Sequence, residues 1–193
     1  MEPNSLIVLL ISFSSLLSAA DAIGVPPNFS HFAFSTQSQA PSPALSVSDI
    51  CGVTEDRKLC VTSVMPFLHG RSSPSSVLQA EIQAAVNHTQ KAIAKAKELA
   101  KDRSQDKSVL KCLEQCLSDY DSAIDDFNSA SEAVDNKDFD TLRTMASAVI
   151  YDLSDCDDAF AGVQGAESPL GEVDDLIHKL VDNCLDIANK FFH

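Results

Sequence analysis

The run SVLKCLEQCLSDYDSAIDDFNSASEAV, residues 108–134, decides how the rest of the chain is read. Leu113, Cys116, Leu117, Tyr120, Ile124, Phe127, Ala130 and Val134 recur in it every three or four positions. That spacing lays one apolar stripe along an α-helix and does not fit a strand, whose side chains alternate with period two. The run also holds two cysteines one helical turn apart, Cys112 and Cys116. Taken alone, such a pair suits a metal site, a redox couple or two disulfide arms.

The same period appears in three more segments. From about Ser76 to Ala100 the stripe is Leu78, Ile82, Ala85, Val86, Thr89, Ile93, Ala96 and Ala100. From Phe139 to about Phe160 it is Leu142, Met145, Ala146, Val149, Leu153, Cys156 and Phe160. From about Glu172 to Phe191 it is Val173, Leu176, Ile177, Leu180, Cys184, Ile187 and Phe191. The breaks KDRSQDKS, DNKD and GVQGAESPLG are short and polar. Four amphipathic helices joined by short links predict an all-α, antiparallel up-down-up-down four-helix bundle.

Residues 47–70, VSDICGVTEDRKLCVTSVMPFLHG, precede the bundle. Thr54, with Glu55 and Asp56 behind it, reads as a helix N-cap and acidic first turn. Pro66 and Gly70 close the unit. Two or three short helical pieces are expected, with Cys51 and Cys60 forming a local disulfide that closes a helical hairpin. The folded domain thus runs over residues 47–191, with the hairpin over 47–70 and the bundle over 76–191.

Residues 6–17 are apolar, and Ala20-Asp21-Ala22 offers a small-x-small cleavage site. Residues 1–22 therefore read as a secretory signal peptide, although no Lys or Arg precedes the apolar run. That run is too short to span a bilayer. Residues 23–46 are rich in Pro and Ser without periodicity, and read as a disordered lead-in. The sequons at Asn28 and Asn87 are candidate glycosylation sites. The expected location is the extracellular space.

The formal net charge is -14, and removing Glu2 and Asp21 with the signal leaves -12. A surface this acidic excludes nucleic-acid and anionic-membrane binding, which need basic patches. The chain has no Trp and only two Tyr, a poor supply of rings for stacking on sugars or bases.

Secretion makes disulfides the default state of paired cysteines. In an antiparallel bundle the start of the second long helix lies beside the end of the third. That places Cys116 and Cys156 together, closing a loop worth about 3 to 4 kcal/mol. Cys184 would lie roughly 18 Å down the last helix from its start. A bond from there to Cys112 fits poorly, since bridged Cα atoms lie within about 7 Å. Cys184 reads as a buried free thiol, and Cys112 as a free edge thiol or an intermolecular link. A metal site at Cys112 and Cys116 finds no further ligands, because the five histidines are scattered. The C-x3-C spacing is also not that of a redox pair.

Four motifs in order resemble the plant invertase and pectin methylesterase inhibitor family. They are Cys51-x2-Thr54-x5-Cys60, Cys116-x3-Tyr120-x2-Ala123, Cys156-x-Asp158-x-Phe160, and Ser168-Pro169-Leu170 ahead of the last helix. The resemblance covers about residues 47–190. It implies a four-helix bundle behind a helical hairpin, with disulfides at Cys51–Cys60 and Cys116–Cys156. It implies a secreted inhibitor of a cell-wall enzyme, either pectin methylesterase, bound one-to-one over the substrate cleft, or acid invertase. Cys112 and Cys184 are extra to the family's four-cysteine frame. Asp155 stands where the family often has Thr. The Pro-Lys-Phe tripeptide of some invertase inhibitors is absent, which favours pectin methylesterase.

The sequence holds no G-x-S-x-G elbow, P-loop or H-E-x-x-H motif, so no catalytic residues and no cofactor are expected. The Asp pairs at 125–126, 157–158 and 174–175 point about 100° apart on a helix and read as solvated charge. DLSDCDD, residues 152–158, lacks the glycine and distal Glu of a calcium loop. Glu114, Ser118, Asp121 and Asp125 step by four, three and four, and form a polar strip beside the core stripe. That strip is the candidate contact with a target enzyme, and a basic target would be steered to it. A monomer is expected. A secreted structural or allergen-like helical protein is the other reading; a small-ligand carrier fits the Ala-rich, closed stripes least.

Overall fold

The computed structural model describes residues 45–193 apart from 103 and 166. The expected signal peptide, almost all of the lead-in and the Asn28 sequon lie outside the described residues. The elements are α1 (Val47–Ile50), a 3-10 turn (Cys51–Val53), α2 (Arg57–Val64), α3 (Pro74–Leu99), α4 (Lys107–Asn136), α5 (Phe139–Ala161) and α6 (Gly171–Phe191). No strand occurs among the described residues. The four long helices form the bundle, and α1, the 3-10 turn and α2 make the hairpin.

Local chemistry sets the helix ends. Ser73 caps α3 in a reciprocal box with Ser76, and Pro74 takes the first helical position, where its missing N–H costs nothing. Asp106 caps α4 through the Ser108 N–H. Only Lys137 and Asp138 separate α4 from α5. Lys137 adopts φ 59°, the left-handed conformation that ends a helix, and its N–H and that of Asp138 return to Val134 and Ala133 carbonyls. Asp138 then caps α5 by accepting from the Thr141 N–H at 3.0 Å.

Three cross-links fix the antiparallel order. Gln79, early in α3, donates from Nε2 to the Ser131 carbonyl, late in α4, at 2.8 Å. Cys116, early in α4, is disulfide-bonded to Cys156, late in α5. Arg143, early in α5, donates to Asn189 Oδ1 and to the Ala188 and Phe192 carbonyls at the end of α6. The helices pack as a ring in which α3 meets α4 and α6, and α5 meets α4 and α6. Leu78, Leu113, Phe127, Leu142, Leu153, Phe160, Ile177, Leu180 and Ile187 fill its centre. Hydrophobic burial of this kind is worth about 25 cal/mol per Å² and is the main force holding the helices together.

The hairpin lies on α3 and α6. Its Cys51–Cys60 bond joins the 3-10 turn to α2. Because the hairpin covers its back, α3 buries more than its central stripe: Val77, Ala80, Glu81, Ala84 and Ala92 are also inside. Thr54 does not cap α2. Its hydroxyl donates to the Cys51 carbonyl, closing the 3-10 turn, and Asp56 caps α2 by accepting from the Leu59 N–H. The carboxylate two residues on is better placed to reach the free N–H groups of that first turn.

Candidate functional site

The acid of this chain is concentrated on one pair of helices. Helix α4 carries seven Asp and Glu against two Lys, and α5 carries five Asp against one Arg, a formal net of -9 for the pair. Helix α3 holds two Glu against three Lys and is net basic. A partner of opposite sign would meet the α4–α5 side first.

Two acidic strips run along α4. Glu114, Ser118, Asp121 and Asp125 are all exposed. They face solvent on the side of the helix opposite its buried stripe, not beside it as expected, because each lies close to half a turn from the core positions. The second strip, Gln115, Asp119, Ser122 and Asp126, flanks the core stripe on the same spacing. It adjoins Asp152 and Asp155 of α5. Burial first, then the charges of Asp126, Asp119 and Asp155, push the Asp152 carboxyl up to about 6. Asp119 is raised by burial and by Asp155, against the hydrogen bond from Gln115. Tyr151, on the outer side of α5, is 73% exposed and lines a shallow hollow of about 490 Å³ with Arg143, Thr144, Ser147 and Ala148.

Asp174 was expected among solvated pairs but is fully buried. It accepts from the Tyr120 hydroxyl at 2.6 Å, beside the Cys116–Cys156 bond. Burial raises its carboxyl to about 7, against the bond from Tyr120. Its neighbour Asp175 is exposed, so the 100° turn between adjacent residues sent one acid inside and one outside. Glu81 is the second fully buried acid. Ser63 Oγ of α2 and Asn183 Nδ2 of α6 lie 2.5 and 2.6 Å from its carboxyl oxygens. Burial raises it to about 7 despite those bonds.

Cys112 and Cys184 are free and buried. Cys112 is 5% exposed, and its thiol donates to the Ala159 carbonyl at 3.1 Å, so it is not an edge thiol. Burial, with the nearby Glu81 charge, holds the Cys184 thiol well above its usual range. Asn87 sits half-buried in the middle of α3. Among the described residues no three His, Cys, Asp or Glu side chains converge to hold a metal ion, and no helix is long and apolar enough to cross a membrane.

The fold and its two disulfides define a class: a stapled four-helix bundle with a docked helical hairpin and one strongly acidic face. The family model described as plant invertase/pectin methylesterase inhibitor matches residues 45–187, and the chain belongs to that family. A solved structure of mutant form A of a pectin methylesterase inhibitor from Arabidopsis superposes with a TM-score of 0.62 at 18% identity, covering 75% of this chain and 95% of that one. A pectin methylesterase inhibitor from Arabidopsis thaliana superposes with a TM-score of 0.58, also at 18% identity, covering 76% and 96%. At this identity the likeness is one of fold. No curated protein matches the chain.

Proposed function

We propose that this protein is a secreted inhibitor of pectin methylesterase that binds the enzyme one-to-one over its substrate cleft, without catalytic activity of its own. The observation that carries this reading is the family match, which spans nearly every residue of hairpin and bundle. The acidic α4–α5 face supports it, because charge complementarity raises association rates and selects partners of opposite sign. The strip Glu114, Ser118, Asp121 and Asp125 is the outer part of the proposed contact. The disulfides Cys51–Cys60 and Cys116–Cys156 keep the scaffold rigid outside the cell.

The family description also names invertase as a target, so acid invertase is the second reading. The test is an inhibition assay with the mature chain against purified pectin methylesterase and acid invertase, across pH 5 to 7. Inhibition of the esterase alone supports the first reading, and of the invertase alone the second. No inhibition of either at micromolar inhibitor overturns both and leaves a non-inhibitory helical protein.

A further inference from the structure

Two carboxylate oxygens between α4 and α5 have no donor. Asp119 is 7% exposed. Its Oδ1 accepts from Gln115 Nε2 at 2.7 Å, while Oδ2 is buried without a partner. Asp152 of α5 likewise has a buried Oδ2 with no partner. An unpaired buried carboxylate oxygen is costly, and a buried polar group ordinarily finds a donor. Among the described residues no cation answers these two, and the one ion pair there is Arg143 with Asp140. No Lys, Arg or His among the described residues contributes to the electrostatics of either carboxyl, whereas Asp126 and Asp155 add further negative charge around Asp152. The carboxyls do not converge as a metal site.

We propose that this seam between α4 and α5 is a docking point for one lysine or arginine side chain of a partner protein, seated over Asp119 and Asp152. A guanidinium or ammonium brings several N–H donors and a full charge, which is what two orphan oxygens at an acidic seam require. The surrounding partner surface then meets the exposed Tyr151 ring, and the net charge of the α4–α5 pair favours its approach. The identity of the partner as a target enzyme rests on the inhibitor reading; the docking point itself does not. Asp152 also gives the docking point a signature. Its carboxyl is partly protonated near pH 6, and a seated cation drives it to the carboxylate, releasing that proton to buffer.

The test has two arms. In the first, Asp119→Asn and Asp152→Asn are assayed against the enzyme that the wild type inhibits, at pH 6.5. Each is expected to weaken binding roughly 10- to 100-fold, the range of a hydrogen bond to a charged group. Glu132→Gln removes one exposed charge from α4 and is expected to change binding less than twofold. Both Asp variants keep the acid's shape, and unchanged circular dichroism with a melting temperature no lower than wild type establishes their folding. Calorimetry at pH 6 in buffers of different ionisation enthalpy is expected to show proton release for the wild type and none for Asp152→Asn. Asp variants that bind like wild type, or a Glu132→Gln loss equal to theirs, overturn the docking point while leaving the inhibitor reading intact. The second arm needs no enzyme: arginine amide is titrated into the full chain and the Asp152 side-chain carbon is followed by NMR. A lower Asp152 titration midpoint than in sodium chloride of equal ionic strength supports the docking point, and an unchanged midpoint overturns it. If the wild type inhibits neither enzyme, the inhibitor reading fails and this second arm decides the docking point alone.

Discussion

Replacing Glu81 by glutamine isolates the largest pH-dependent element in the hairpin's attachment to the bundle. Glu81 titrates at about 7 in the fold against an ordinary value of 4.5. The unfolded chain therefore releases this proton above about pH 4.5, while the folded chain holds it to about pH 7. Over that window the folded state binds more protons, so stability falls as pH rises; it is fullest below 4.5 and the loss is complete above 7. The difference of about 2.5 units corresponds to about 3 kcal/mol at 1.36 kcal/mol per unit. When protonated, Glu81 can donate to Ser63 Oγ, whose own hydroxyl donates to the Cys60 carbonyl at 2.9 Å, while its other oxygen accepts from Asn183. Glutamine reproduces that pattern, with its amide as donor and its carbonyl as acceptor. Glu81→Gln should therefore match wild type near pH 4.5 and exceed it by about 3 kcal/mol at pH 8. In a domain of this size that is roughly 6 to 12 °C in melting temperature. Thermal melts at pH 4.5, 6 and 8 measure it. A melting temperature that falls as steeply with pH in Glu81→Gln as in wild type would refute the reasoning.

Tyr120→Phe removes the donor to the fully buried Asp174 and should cost about 1 to 3 kcal/mol, more at pH 8 than at pH 5, by chemical denaturation at the two pH values. Cys116→Ser with Cys156→Ser should lower stability by about 3 to 4 kcal/mol in urea titrations. Peptide mapping of the intact chain should return Cys51–Cys60 and Cys116–Cys156, with Cys112 and Cys184 alkylated only after denaturation. Asp121→Lys with Asp125→Lys should weaken inhibition at low salt and approach wild type at high salt, because exposed charges act within a Debye length; a salt-independent result rejects the outer strip as a steering element. Lys137→Gly should raise stability by roughly 1 kcal/mol, since glycine takes the left-handed conformation without a Cβ penalty.

The helices and their order were legible because each core stripe follows one local period, and because short breaks force neighbours antiparallel. Only the ends moved, by one or two residues. What was not legible depended on partners far along the chain. Asp174 reads locally as half of a solvated pair, and only the Tyr120 hydroxyl, 54 positions away, explains its burial. Glu81 falls outside the α3 stripe, and it is inside because the hairpin covers that side. The flanking Val77, Ala80 and Ala84 were the available signal: small or apolar residues on a second arc mark a helix covered twice. Cys112 looked like an edge residue, but the Ala159 carbonyl of α5 covers it. In the candidate site, the exposed strip follows from α4 alone. Asp119 and Asp126 share its spacing, yet their crowding with Asp152 exists only once α5 lies alongside.

The Cys116–Cys156 bond does more than hold two helices near each other. It ties α4 to α5 at one end, and the two-residue turn at Lys137 and Asp138 ties them at the other. The pair that carries most of the negative charge is thus clamped at both ends and has little freedom to slide or roll. A surface frozen in its bound shape gives up little conformational entropy when a partner docks, and that saving appears directly as affinity. On the proposed inhibitor reading, reduction of this one bond would leave every charge in place and still blunt recognition, because the charges would no longer keep their spacing.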